Sequence, residues 1–220
     1  MGFFDRFFRK SSPSPDELAL LMSFMHEDPD RREREELYAE IMGPIATVLH
    51  GLDGKEPHVD VYRIEPQGER DMFTYITGGM STWVQPGLEG QDMGRIELVF
   101  YSRQHLPVFG DLLMRLSRLP SDTATPLEPY DCMPIGEFAE QMIGTSRFTA
   151  LWFPPMTAKL DRPLIGRLTT QGEKVFPLLV MPLLPEEYAF QQQHGNPALM
   201  ERLQASGLPV EFFPDRPAFV

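Results

Sequence analysis

The chain has 220 residues, with 20 Lys and Arg set against 32 Asp and Glu for a net charge of −12. A chain of this length buries a full core without disulfides or metals, and a hydrophobic fraction of 42% with sixteen Phe excludes the disordered class, which joins low hydrophobicity to high charge. The acidic balance argues against nucleic-acid binding, since a phosphate backbone repels an anion, and the single Cys132 precludes an internal disulfide and suits a reducing cytoplasm.

In chain order, the first segment is Phe3-Phe4-Asp5-Arg6-Phe7-Phe8-Arg9-Lys10, the one locally basic stretch. On a helix its four rings share a face, as in a short membrane-surface anchor or a helix docked on its own domain. Residues 1–13 are assigned as a tail and linker, and 14–220 as one domain. Ser14, Pro15 and Glu17 have the spacing of a capping box that opens a helix near Asp16 to His26. A second helix is expected from about Asp28 to Asp30 onward, with Leu37, Ile41, Ile45, Val48 and Leu49 in helical phase and a kink or break at Gly43-Pro44.

From His58 the period changes to two. Val59 to Ile64, Phe73 to Thr77 and Arg95 to Tyr101 read as strands, the second running into a Gly78-Gly79 turn, and Glu97 lies on the face opposite Ile96 and Leu98. Leu112, Leu113, Leu116 and Leu119 mark a helix that Pro120 is expected to end. Residues 120–137 have no period and read as a long irregular loop, a kind of segment that is often functional. Phe148 to Phe153 and Lys174 to Leu184 are apolar on both faces, as buried strands are. Pro185 opens a helix that Gly195 closes, and Asn196-Pro197 opens another that ends at Gly207. The pattern is α+β, a mixed β-sheet flanked by helices. No apolar run reaches the roughly eighteen residues of a membrane-spanning helix.

The motifs of several enzyme classes are missing. No G-x-S-x-G, H-E-x-x-H, paired C-x-x-C or phosphate-binding G-x-x-x-x-G-K-[ST] occurs. Glu186 and Glu187 are neighbours on one helix, about 100° apart, and cannot face each other as acid and base. Cys132 lies beside Asp131, which disfavours its thiolate. His58 and Asp60, two apart on a strand, make half a metal site, and with Glu97 they define a metal-dependent hydrolase as the alternative reading. The main reading has no catalytic residue, no metal ligand and no cofactor.

Four segments together resemble the suppressor-of-fused (SUFU) domain, in its single-domain bacterial form. They are Phe73-Thr74-Tyr75-Ile76-Thr77-Gly78-Gly79-Met80-Ser81, then Ile96-Glu97-Leu98-Val99-Phe100 with the helix after it, then Leu151-Trp152-Phe153-Pro154-Pro155, and finally Val175 to Leu184 with Pro185-Glu186-Glu187-Tyr188 and His194 to Glu201. Thr82 stands where the family usually has an acid, and Tyr130-Asp131-Cys132 replaces a histidine-bearing loop segment, leaving Asp131 as the surviving polar position. The resemblance implies an α/β sandwich that binds a protein partner without catalysis. That partner would be a peptide strand, as for the two-lobed animal members, or a toxin domain, as for bacterial immunity proteins. The partner surface is expected at Tyr75, Gly78, Gly79, Met80, Ser81, Tyr130 and Asp131, in a cytoplasmic protein, with membrane contact through residues 3–10 as a further alternative.

Overall fold

The computed structural model describes residues 28–51 and 57–220. The Phe3–Lys10 segment, the linker at 11–15 and the helix expected at Asp16 to His26 lie outside them. The first described helix, α1 (Arg31–Met42), buries Arg34, Tyr38 and Met42 and stops at Gly43, whose φ of +106° is open to glycine and strained for other residues. The expected continuation of this helix is corrected: Ile45, Val48 and Leu49 belong to a strand, β1 (Ile45–His50). Gly43-Pro44 breaks the helix, and the β-branched Ile45, Thr47 and Val48 fit a pleated surface better than a helix. Six residues are too few for spacing alone to separate the two periods.

β1 pairs antiparallel with β2 (Asp60–Ile64), β2 with β3 (Phe73–Gly78), and β3 with β4 (Ile96–Ser102). The helix α2 (Val108–Thr123) covers one face of this sheet. Pro120 does not end it: the helix runs one turn further and closes at Ala124 in the left-handed region. Proline removes only its own N–H from the ladder, and the bend it forces is tolerated near a helix end. The expected irregular segment 120–137 is corrected in the same way, because it contains the last turn of α2, β5 (Cys132–Pro134) and a 3-10 turn at Gly136–Phe138. A short helix α3 (Ala139–Ile143) and β6 (Ala150–Trp152) follow.

The apolar run Lys174 to Leu184 is three strands rather than one. After β7 (Thr169–Thr170), β8 (Glu173–Lys174) forms a small hairpin, β9 (Phe176–Leu179) adds to the first sheet parallel to β4, and β10 (Met181–Leu183) joins β6 and β5 in a second sheet. The sheet orders are β1-β2-β3-β4-β9 and β10-β6-β5. From Val175 onward the run is apolar because both larger sheets bury it, and only Val180 separates β9 from β10. The last helix, α4 (Pro185–Ser206), is broken at Gly195 (φ +80°, ψ 174°), as expected from the sequence, and ends at Gly207.

The five-stranded sheet has a core on each face. Val59, Val61, Tyr75, Ile96, Leu98 and Phe100 pack with Phe109, Leu112, Leu113 and Leu116 of α2. Tyr62, Ile64, Ile76, Val99 and Tyr101 pack with Tyr38, Trp152, Met181 and Leu199 on the other face. Glu97 shares that second face by strand alternation and is fully buried.

Candidate functional site

The turn after β3 is built around the Glu97 carboxylate. Thr77 Oγ1 donates to Oε2 at 2.6 Å. Oε1 accepts from the Gly79 and Ser81 backbone N–H groups, both at 3.0 Å, and from Ser81 Oγ at 2.7 Å. The Leu98 N–H in turn donates to Thr77 Oγ1 at 2.7 Å, so strand and turn are locked together. Arg34 of α1 supplies the opposing charge. Burial disfavours its cation, yet the nearby Glu97 charge leads the interactions that raise its pKa overall. Arg95 Nη1 donates to the Ser81 and Thr82 carbonyls, each at 2.8 Å, and closes the turn from the far side.

Gly79 adopts φ +100°, and a Cβ there would lie 2.2 Å from the His58 carbonyl oxygen. Gly79→Ala is therefore expected to destabilise the protein by about 2–4 kcal/mol, through left-handed strain and a backbone clash. Urea denaturation of the full chain measures this, and a loss below about 1 kcal/mol would mean that the turn relaxes freely.

Burial separates the expected partner-binding residues into two groups. Tyr75, Gly78, Gly79, Met80 and Ser81 are buried. Tyr75 packs edge-on against Phe109 and its hydroxyl lies 2.6 Å from His105 Nδ1; burial pushes its pKa up to about 12. Tyr130 and Asp131 are exposed, and the Tyr130 ring lies 6.2 Å from that of Trp152. Asp131 is held locally, its Oδ2 accepting from the Glu128 N–H at 2.8 Å. The adjacent Cys132 thiol is pushed up to about 12, first by burial and then by the Asp131 charge, so it is a poor nucleophile.

Two side chains that sequence reading passed over connect these groups. Trp83 follows the turn and is 52% exposed. It borders a groove of about 200 Å³ lined by Pro57, Met80, Pro86 and Pro120. Gln85 then spans to the second loop: its Nε2 donates to the Leu127 carbonyl at 3.1 Å, and its Oε1 accepts from the Leu127 N–H at 2.8 Å. The turn at 78–81 and the loop at 127–131 are thereby one tethered unit. The signal for Trp83 was its type, one of two tryptophans just past a glycine turn. For Gln85 no signal exists without the fold.

The proposed trio His58, Asp60 and Glu97 is corrected. With four donors on its carboxylate, Glu97 is committed to the turn. Asp60 gathers His58 and His50 instead: His50 Nδ1 lies 2.8 Å and His58 Nε2 3.1 Å from Asp60 Oδ1. Burial alone would raise the Asp60 carboxyl, but the hydrogen bonds from His58 and His50 outweigh it and hold the pKa below the ordinary carboxylate value. His50 was hidden by the helical reading of Ile45 to Leu49. As a strand end it stands directly opposite Asp60 in the β1–β2 register.

The fold and this turn define a class of α+β domain with two packed sheets and a carboxylate-anchored turn. The Suppressor of fused protein (SUFU) family profile matches residues 55–217, and the chain belongs to that family. A SUFU homologue from Neisseria gonorrhoeae has a similar structure, with a TM-score of 0.61 at 14% identity over 94% of this chain and 98% of that one. A Sufu–Fu complex gives a TM-score of 0.63 at 16% identity over 87% of this chain and 92% of the other. Drosophila Suppressor of Fused gives 0.51 at 16% identity, with 70% of this chain covering 40% of that protein. No curated protein matches the chain in sequence. No described helix is long and apolar enough to cross a membrane.

Proposed function

We propose that this protein is a non-catalytic protein-binding module whose partner is a toxin domain that it blocks by covering it. The observation that carries the reading is Trp83, a half-exposed indole held by the Glu97 turn beside an apolar groove. Large aromatics beside such grooves are the residues on which interfaces concentrate their binding energy. Tyr130 and Asp131 extend the surface along the tethered loop, while Tyr75 and Gly78 to Ser81 act from beneath by holding its shape. A net charge of −12 favours a basic partner, since opposite charge steers association and suppresses wrong encounters. The Sufu–Fu complex is a precedent for a protein of this fold in complex with another protein. A cytoplasmic setting fits the lone, unpaired Cys132.

The test compares the tagged full chain with its Trp83→Asp variant in capture from native lysate. The expected result is one basic partner held in equal amount, with affinity reduced at least about tenfold in the variant and the melting temperature unchanged. That partner, produced alone, should arrest growth, and the wild-type chain but not the variant should restore it. Equal capture by the variant would remove the Trp83 surface from the interface. A partner without toxicity would end the immunity reading while leaving the binding reading intact.

A further inference from the structure

We propose that His50, His58 and Asp60 form a binding site for a borderline divalent transition-metal ion, zinc being the best match. The antiparallel pairing of β1 and β2 puts His50 opposite Asp60, and His58 stands two residues before Asp60 on the same chain. One ligand atom from each lies within 4.8 Å of the other two. Tetrahedral zinc with bonds of about 2.0–2.1 Å sets its ligands roughly 3.3 Å apart, so each pair is within about 1.5 Å of that spacing. Two imidazoles and one carboxylate suit zinc, cobalt, nickel or copper, whereas magnesium and calcium prefer oxygen alone.

The surroundings divide the Asp60 carboxylate in a useful way. Arg31 Nη2 lies 3.4 Å from Oδ2, while both histidines address Oδ1. Arg31 thus orients the carboxylate from the second oxygen and leaves the first for the ion, the arrangement that outer partners of metal ligands commonly provide. The Arg31 charge is itself offset by Glu35, whose Oε1 accepts from Nε at 2.9 Å and from the Tyr62 hydroxyl at 3.1 Å. Asp60 is buried, His58 nearly so, and the His50 side chain is 32% exposed, so an ion reaches the site from solvent past His50. Three protein ligands leave a coordination position open for water or for a side chain of another molecule. The proposal is independent of the partner reading, because it concerns the β1–β2 hairpin and its test requires no partner.

The experiment uses the EDTA-treated full chain, titrated with cobalt chloride and read by visible absorbance, then with zinc sulfate and read by thermal melting. The expected result is one cobalt per chain with the intense bands of a tetrahedral ion. Zinc should raise the melting temperature by about 5–10 °C at a hundredfold excess over Kd, and magnesium should leave it unchanged. His50→Ala and His58→Ala should each weaken binding by at least about tenfold, and His194→Ala, outside the cluster, should not. If His58→Ala fails to fold, the more exposed His50→Ala decides the matter. Absence of a one-to-one cobalt spectrum, or a spectrum unchanged in His50→Ala, would overturn the proposal and leave the three residues as a hydrogen-bonded clasp between two strands.

Discussion

Glu97→Ala is expected to lower stability by about 3–5 kcal/mol, a large share of what a domain of this size has. The side chain accepts four hydrogen bonds in full burial. Removing it strands the Gly79 and Ser81 N–H groups and takes this acceptor from the Thr77 and Ser81 hydroxyls, while Arg34 loses a nearby negative charge but keeps its ion pair with Asp28 Oδ2 at 2.5 Å. Glu97→Gln separates the parts of this effect. The amide oxygen can keep the three donors of Oε1, but its NH₂ meets Thr77 Oγ1, a donor that must then turn away. A loss of about 1–2 kcal/mol is expected for Gln. Urea denaturation of both variants is the measurement, with tryptophan fluorescence reporting on Trp83 beside the turn. Equal losses for Ala and Gln would show that charge alone matters, contrary to the multi-donor account.

The second large effect is expected at Arg216. Its guanidinium pairs in fork fashion with both oxygens of Glu187, and Nη2 also donates to the Pro182 carbonyl at 2.8 Å. Glu187 is completely buried and accepts further bonds from the Leu184 N–H at 2.8 Å and the Phe219 N–H at 3.2 Å. The guanidinium carbon stands 5.2 Å from the Phe148 ring centroid and 5.3 Å from that of Phe219. Arg216→Ala leaves a buried carboxylate without its cation and should cost about 3–5 kcal/mol. Arg216→Lys should recover less than half of this, because a point charge cannot bond both oxygens or stack between two rings. Full recovery by Lys in the same denaturation experiment would reduce the pair to simple charge balance. Glu187, read in the sequence only as a helix neighbour of Glu186, is thus the anchor of the segment after α4.

Local signals carried much of the architecture. Gly195 and Asn196-Pro197 mark the break in the last helix because a left-handed glycine and a proline at a helix start have local causes. The strands at 60–64, 73–78 and 96–102 show their period over enough residues to be read. Ile45 to His50 failed for the opposite reason, being short and contiguous with a true helical phase. Val175 to Leu184 failed because an apolar run gives no sign that it changes sheets midway. At the site, two segments that looked like separate family marks, Thr77 to Ser81 and Glu97, are one hydrogen-bonded object. Burial of that object explains why residues legible in the sequence lie under the surface, while Trp83 and Gln85, which shape the surface, carried little pattern. The Asp60 pair was half visible, since His58 is near in sequence and His50 becomes near only when β1 is a strand.

The end of the chain closes the middle of the fold. The Phe212 N–H donates to the Tyr101 carbonyl at 2.8 Å and the Arg103 N–H to the Phe212 carbonyl at 3.0 Å, so β4 receives a neighbour from about half a chain length away. Its parallel partner β9 is also distant, joined through β5, β6 and the 3-10 segment Lys159–Leu164. Such pairings bear their loop-closure entropy before any contact repays it, which slows folding. During synthesis, β1 to β4 emerge with one face able to meet α2 at once, while the other face waits for residues 150–219. A nascent chain stalled before Arg216 would hold Glu187 without its counter-ion and would lack the Phe219 ring from the second core. Such a chain is a substrate for chaperones and proteases, so the amount of protein a cell retains should depend strongly on whether residues 212–219 are intact.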